Sequence, residues 1–550
     1  MGVTDVAAPT VSPPRGGVAP MTRRVMNIGH IAAQNARRLA ERPAFIWGEL
    51  TLTWAELDAQ VSALAAGLRA RGIGKGDRIL VHSKNCDAMF VSMFATFRLG
   101  AVWVPTNFRL LPDEVAYLST SSGAKACLCH GDFPEHAAAV AAATPAPDFT
   151  WRIGAGSFGE AEVGEVIARH RGERVTDVAV EHDDPCWFFF TSGTTGRSKA
   201  AVLTHGQMGF VITNHLCDLV PGTTDADCSL VVAPLSHGAG VHQLMLAARG
   251  AATILLPTER FDIDEAYRLI ARHRVTSLFT VPTILKMLVE HPAVDSHDHS
   301  SLRYVIYAGA PMYREDQKRA LGKLGKVLVQ YFGLGEVTGN ITVLPTYLHE
   351  AEDGPDARAG TCGFARTGMQ VQIQDDAGQE VEPGVQGEIC VIGPAVFAGY
   401  YDNPEANAKS FRDGWFRTGD LGHMDEQGFV YITGRASDMY ISGGSNIYPR
   451  EIEEKILTHP AIVEVAVLGL PDPVWGEIGV AVCVCRAGEQ ASEAEIAGFL
   501  SEKIARYKMP KRFFFWEALP KSGYGKVPKR LVRDELEARG ELEWLKGKAS

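Results

Sequence analysis

Apolar residues recur at helical spacing over residues 28–39 and again over 55–71. Gly74, Gly76 and Asp77 then mark a turn, and residues 78–81 predict a short strand. A helical pattern over 87–99 and a strand pattern over 101–105 follow. Residues 186–190, Cys-Trp-Phe-Phe-Phe, read as a buried strand, and strand-like runs return at 230–232, 252–256, 277–280 and 304–307. Helices alternating with short runs of branched residues predict an α/β fold with layered sheets and helices. No short-period internal repeat suggests a solenoid.

The character changes over residues 383–431, which are rich in short strands and glycine turns; 386–391 reads as one strand. A polar, glycine-rich cluster occupies 433–446. Beyond it lies a compact α/β pattern: helix over 451–458, strands over 462–468 and 479–484, and helix over 493–505. The last hundred or so residues are long enough for a separate small domain. The expected organisation is a disordered extension at 1–25, a large domain over 26–436, and a small mobile domain over 437–550.

Composition narrows the class. With 550 residues and 46% apolar composition, the chain is too long for one ordinary core. A formal charge of -11 argues against broad nucleic-acid binding. The ten cysteines include two C-x-C pairs, Cys127/Cys129 and Cys483/Cys485, neither at zinc-site spacing; buried, reduced residues in a cytoplasmic protein are expected. The N-terminus has no secretory pattern, Val6 stands where a myristoylation signal wants Ser or Thr, and no apolar run reaches transmembrane length. Stable membrane insertion is therefore not expected. Oligomeric state is not encoded clearly, and a homodimer stays open.

The sharpest chemical signal is Thr191-Ser192-Gly193-Thr194-Thr195-Gly196-Arg197-Ser198-Lys199. Glycines let backbone N–H groups converge, hydroxyls add donors, and cations neutralise charge. That suits a polyphosphate, although Gly196 to Lys199 breaks the Walker A spacing. Four further clusters follow. His237 precedes a glycine-rich turn; it either meets a ligand or makes a structural turn. Gly309, Ala310 and Pro311 follow a strand, where backbone groups can read a planar ring. Phe332-Gly333-Leu334-Gly335-Glu336 offers a stacking ring and a carboxylate able to hold magnesium against phosphate. Asp420, after Gly419, either accepts sugar hydroxyls or closes an Asx turn, with Arg435 as an added positive contact. Near the end, Lys526 sits between a glycine turn and Pro528.

In this order the elements resemble the ANL superfamily of adenylate-forming enzymes, most closely its acyl-CoA synthetase branch. The resemblance covers nearly the whole chain after residue 25. It implies that Lys199 and the loop of Thr191, Ser192, Gly193, Thr194, Thr195 and Gly196 meet the ATP phosphates. It implies that Gly309, Ala310 and Pro311 line the adenine side, Phe332 stacks on adenine, and Glu336 acts with Mg²⁺. Asp420, helped by Arg435, would bind ribose. Lys526 would meet the carboxylate and the α-phosphate, while Ser442, Gly443 and Gly444 would lie beside the coenzyme A thiol. Two positions depart from the pattern: Gly335 stands where threonine is usual, and Ser437 where the hinge commonly has Asp or Lys.

The implied reaction is activation of a small-molecule carboxylic acid by MgATP, then acyl transfer to coenzyme A. The acid carboxylate is expected near His237. Its remainder is expected in a pocket drawn from residues 205–207, Gly240-Val241 and Gly309. With no evident arginine for a second carboxylate, a monocarboxylic acid is expected, short- or medium-chain aliphatic and including methylthio forms. Aryl acids remain an alternative, as do loading of a separate carrier protein, although the lack of an obvious carrier domain after Ser550 favours free coenzyme A, and a nucleotide-responsive binding protein. The basic series Lys503, Arg506, Lys508, Lys511 and Arg512 reads either as a solvated face or as an attractor of coenzyme A phosphates.

Overall fold

The computed structural model describes residues 23–191, 197–258, 261–310, 312–354, 358–442, 445–521 and 527–546. Most of the extension expected at 1–25 lies outside them, as do nine candidate site residues: Ser192, Gly193, Thr194, Thr195, Gly196, Pro311, Gly443, Gly444 and Lys526.

The alternating pattern becomes two sheets flanked by helices. In one sheet the order is Ala161–Glu162, Phe149–Ile153, Ala126–His130, Arg78–His82, Val102–Thr106, Pro185–Thr191 and Lys199–Thr204. Its strands pair in parallel until the last two, which form an antiparallel hairpin. The central three are buried almost end to end, which is why they read as continuous apolar runs. Helix Trp54–Ala70 opens on a capping box: Thr53 Oγ1 accepts from the Glu56 N–H, and the Glu56 carboxylate accepts from the Thr53 N–H.

The second sheet carries a parallel core in the order Ala252–Leu255, Cys228–Val231, Ser277–Thr280, Tyr304–Tyr307, Leu328–Phe332. From Leu328–Phe332 onward it turns antiparallel, through Thr342–Leu344, Thr361–Ala365, Phe429–Arg435, Trp415–Met424, Gly387–Ile392 and Gln370–Gln374. This is the glycine- and strand-rich region anticipated from the pattern. One large core joins both sheets, with Trp54, Trp103 and Trp187 fully buried and Trp103 edge-on to Trp187. Buried aromatic rings of this size dominate core energetics.

A third sheet is separate: Tyr440–Ser442, Ser445–Ile447, Ile462–Asp472, Gly476–Cys485 and Arg512–Trp516. Two apolar clusters, one built around Tyr440, Ile452 and Ile496 and the other around Leu468, Val532 and Leu536, draw only on residues from Tyr440 onward. The protein is therefore a two-domain α/β structure, with a larger N-terminal part of sheets and helices and a smaller C-terminal part rich in strand. Sheet membership changes between Arg435, the end of the last strand of the large sheet, and Tyr440.

Several expectations need correcting. The helix expected over 493–505 is Glu493–Ser501; the chain then turns so that the Lys503 N–H donates to the Leu500 carbonyl, and Ile504 packs on the core from outside the helix. Eight of the ten cysteines are buried, but Cys217 is exposed and Cys485 half-buried. Among the described residues, no helix is long and apolar enough to cross a membrane.

Candidate active site

Five neighbouring parallel strands end on one edge at Leu255, Val231, Thr280, Tyr307 and Phe332. Ligands of open α/β sheets bind outside such carboxyl ends. Gly309 and Ala310 form the bend after Tyr304–Tyr307, with Gly309 at φ +84° and only Val281 Cγ1, at 3.9 Å, near where a Cβ would stand. Phe332 is half-buried at the end of the adjacent strand, two residues beyond the Tyr307–Gln330 register pair.

Glu336 follows on a short 3₁₀ turn, Gly335–Val337, and is only 5% exposed. Its Oε1 accepts two hydroxyl hydrogen bonds, one from Thr191 Oγ1 at 2.8 Å and one from Tyr400 Oη at 2.8 Å. Its Oε2 is buried and has no partner among the described residues. A buried carboxylate oxygen without a donor is costly unless something fills its lone pairs. A hard divalent cation does so, and Mg²⁺ is usually bound by one or two carboxylates plus substrate phosphates. The donor set therefore fits Mg²⁺.

Thr191 and Lys199 face each other across the hairpin as register partners, closing the mouth of the loop between them. The Lys199 ammonium lies 4.4 Å from the centroid of the Tyr400 ring. Burial and the adjacent Glu336 carboxylate both push the Tyr400 hydroxyl pKa above its usual range, so it stays a hydrogen-bond donor. Tyr400 escaped the sequence reading. Its signal, two tyrosines after Gly399, has no periodicity, and its place depends on long-range pairing of residues 398–401 with the strand that carries Lys199.

His237 stands at the N-terminus of helix Gly238–Arg249, with Nδ1 3.1 Å from Ser236 Oγ. Its ring meets the Phe189 ring edge-on at 5.0 Å. Phe189 also resolves the departure at Gly335. A Cβ built there would come within 2.6 Å of the Phe189 ring and 3.0 Å of Thr191 Cγ2. The volume of the usual threonine is filled by a phenyl ring, leaving no added room for solvent. On the other side of His237, a Cβ at Gly238 would stand 3.1 Å from Phe279. Phe279 in turn stacks on His242 at 4.3 Å.

The pocket wall expected at 205–207 is corrected. His205 is fully buried, and its Nδ1 accepts from the Ile28 N–H; burial lowers its pKa to about 4. Gln207 closes a capping box with Thr204 and donates to the Ala395 carbonyl. Both serve the start of helix His205–Asp218 and its neighbours.

Asp420 is also 5% exposed. It is the register partner of Arg435, whose Nε donates to Asp420 Oδ1 at 3.0 Å. The preceding turn is braced by Glu388, which accepts from the Gly419 N–H and from Arg417 Nε. No direct contact joins Asp420 to Glu336 among the described residues. Ser442 lies in the third sheet, paired with Ser445 and Gly476. In the basic series, Lys508 is tied to Glu451 and Arg512 to Glu493, which favours the solvated-face reading.

Comparison with known proteins agrees with this arrangement. The model of the AMP-binding enzyme family matches residues 32–401, and that of the AMP-binding enzyme C-terminal domain matches 451–526. A feruloyl-CoA synthase of Amycolatopsis sp is 37% identical over 512 residues, covering 93% of this chain and 99% of its own. A long-chain-fatty-acid–CoA ligase of Mycobacterium tuberculosis is 34% identical over 518 residues, with 93% and 99% covered. The ATP-bound MatB structure from Rhodopseudomonas palustris superposes with a TM-score of 0.83 at 32% identity, covering 93% of this chain and 99% of that one. With both family models matched in order along one chain, the protein belongs to the AMP-binding enzymes, the ANL adenylate-forming superfamily, as an AMP-forming acid–CoA ligase.

Proposed function

We propose that this ligase activates a monocarboxylic acid with an apolar body, and that the body is a planar aryl group rather than a short or medium aliphatic or methylthio chain. The observation carrying the proposal is the row of rings at the strand ends: half-buried Phe189 edge-on to His237, and half-buried Phe279 beside Gly238. Flat walls of this kind pack best on a flat ligand. Similarity to a feruloyl-CoA synthase points the same way, while similarity to a long-chain ligase keeps the aliphatic reading as the competing outcome.

In the proposed mechanism, an oxygen of the acid carboxylate attacks the α-phosphorus of ATP. The bond to the bridging oxygen breaks, and pyrophosphate leaves with its electron pair. The thiol of coenzyme A then attacks the acyl carbon, losing its proton, and AMP departs from the acyl-adenylate. Lys199 and the loop from Thr191 to Gly196 hold the leaving phosphates, and Glu336 presents its bare oxygen to Mg²⁺. When bound, Mg²⁺ supplies charge neutralisation on phosphate oxygens. Phe332, Gly309, Ala310 and Pro311 take the adenine; Asp420, set by Arg435, takes the ribose hydroxyls. His237 orients the carboxylate between Phe189 and the helix start. Lys526 draws the two anions together. A turn at Ser437 lets the C-terminal domain exchange Lys526 for the segment Ser442 to Gly444, beside which the thiol arrives.

A panel of aryl, straight-chain, branched and methylthio acids, followed by acid-dependent ATP–pyrophosphate exchange and by thioester mass, tests the proposal. Cinnamate- or benzoate-type acids should give the highest kcat/KM. A preference for octanoate over every aryl acid would overturn the substrate class, and no exchange with any acid would overturn the mechanism. Lys526→Ala should slow adenylation by roughly two to three powers of ten, the effect of losing one positioned transition-state contact. Thioester formation from supplied acyl-adenylate should slow far less.

A further inference from the structure

The Lys199 ammonium and the Glu336 carboxylate both meet one side chain, the first at its ring face and the second at its hydroxyl. The Tyr400 hydroxyl donates to Glu336 Oε1 at 2.8 Å, and the Lys199 ammonium lies 4.4 Å from the ring centroid. Among the described residues no ion pair joins the two charges. Without the ring, a flexible lysine and a buried carboxylate would attract strongly and close on each other. Each would then satisfy the other, and neither would be ready for a nucleotide.

The ring is held firmly. Tyr400 is 7% exposed. Its N–H donates to Asn407 Oδ1 at 2.7 Å, and its carbonyl accepts from Asn407 Nδ2 at 3.0 Å. The flanking backbone is bonded to both elements it separates. The Tyr401 N–H donates to the Ala200 carbonyl and the Val202 N–H to the Gly399 carbonyl, on the strand of Lys199; the Phe397 N–H donates to the Glu336 carbonyl. The ring face attracts the ammonium without cancelling its charge. The hydroxyl, with that of Thr191, occupies one carboxylate oxygen and leaves the other bare.

We propose that Tyr400 is a positioning residue that keeps the Lys199 ammonium and the Glu336 carboxylate apart and separately aimed until nucleotide arrives. The cation is thereby reserved for phosphate oxygens and the anion for Mg²⁺. This rests on the roles given above to Lys199 and Glu336.

Calorimetric titration of the full-length protein with ATP, with and without Mg²⁺, tests it through binding alone. Tyr400→Leu should weaken Mg²⁺-free ATP binding about tenfold, the size of one charge-assisted contact, because Lys199 falls onto Glu336. Adding Glu336→Gln to that variant removes the anion, releases Lys199, and should return Mg²⁺-free binding to within about twofold of wild type, a repair that lost packing would not show. Tyr400→Phe keeps the ring and should leave Mg²⁺-free binding unchanged, while the Mg²⁺ concentration for half-maximal binding rises. Mg²⁺-free binding that stays wild-type in Tyr400→Leu, or stays weak in the double variant, overturns the spacer. Should Tyr400→Leu not fold, Tyr400→Phe decides, and an unaltered Mg²⁺ requirement there rejects the proposal. If Glu336→Gln alone leaves the Mg²⁺ requirement unchanged, the metal role of Glu336 fails; the Mg²⁺-free arms still judge the spacer separately.

Discussion

Glu336 and Asp420 are carboxylates of equal burial with opposite company. Each is 5% exposed. Around Glu336 the described partners are neutral hydroxyls, both on one oxygen, and the second oxygen is bare. Asp420 has a guanidinium fixed against it by strand register. A carboxylate already neutralised by a resident cation can offer lone pairs to neutral donors such as sugar hydroxyls at little further cost. One supported only by dipoles keeps its full charge and calls for a cation from outside. Residue type and burial do not separate these two duties; the charge of the nearest partner does.

Removing the charge alone should break the symmetry most widely. Glu336→Gln keeps an oxygen for the two hydroxyls but loses the anion. Its kcat/KM in acid-dependent ATP–pyrophosphate exchange should fall by about two to three powers of ten, as for loss of a transition-state charge contact. Asp420→Asn should cost about tenfold in the same assay, mainly through KM for ATP, as for one hydrogen-bonding contact to neutral groups. Equal losses, or a larger loss at Asp420, would contradict the division of labour.

A smaller effect probes what holds Glu336 in place. Gly335→Thr should cost about 1–3 kcal/mol of overpacking against Phe189, read as a drop in melting temperature and in exchange rate. Gly335 lies outside the left-handed backbone region, so the penalty is one of space. Phe189→Ala should therefore restore much of what Gly335→Thr loses, a coupling measured by the double-mutant cycle. Asp420 is not among the nearest neighbours of this contact, and KM for ATP should respond less than kcat. Additive losses would mean that Phe189 does not occupy the vacated volume.

These contacts show where the sequence was legible. The parallel strands stood out because burial on both faces leaves continuous apolar runs, and helix starts because Thr53 and Glu56 carry their own capping signal. Thr191, Lys199 and Glu336 were recoverable because each lies in a short run of unusual composition, and the fold brings them together. Tyr400 and Phe189 were not, because each acts through a partner far away in the chain. The meaning of Gly335 depended on a ring it does not name, and Tyr400 on a strand pairing that no local pattern encodes. The helix over 493–505 was overextended for a related reason: Ile504 keeps the apolar rhythm while the backbone has already turned.

The smallest effect separates both carboxylates from the scaffold beneath them. Burial holds the pKa of His82 and His242 at about 3 and of His205 and His349 at about 4, and lowers that of His215 well below its usual value. These imidazoles are neutral when folded and protonate near pH 6.5 when unfolded. The unfolded chain therefore binds more protons below pH 6.5, so their contribution is complete above that pH and is lost as pH falls toward 4 for His205 and His349 and toward 3 for His82 and His242. Each histidine adds a slope approaching about 1.4 kcal/mol per pH unit in that window. The melting temperature should accordingly fall steeply between pH 6.5 and 5, and His242→Leu should flatten the fall by up to one proton's worth. If Glu336 and Asp420 act locally, Glu336→Gln and Asp420→Asn should leave that slope as it is in the wild type. A slope flattened by Glu336→Gln as much as by His242→Leu would tie the Glu336 charge to the protonation of the fold. The contrast between the two carboxylates would then lose its local basis.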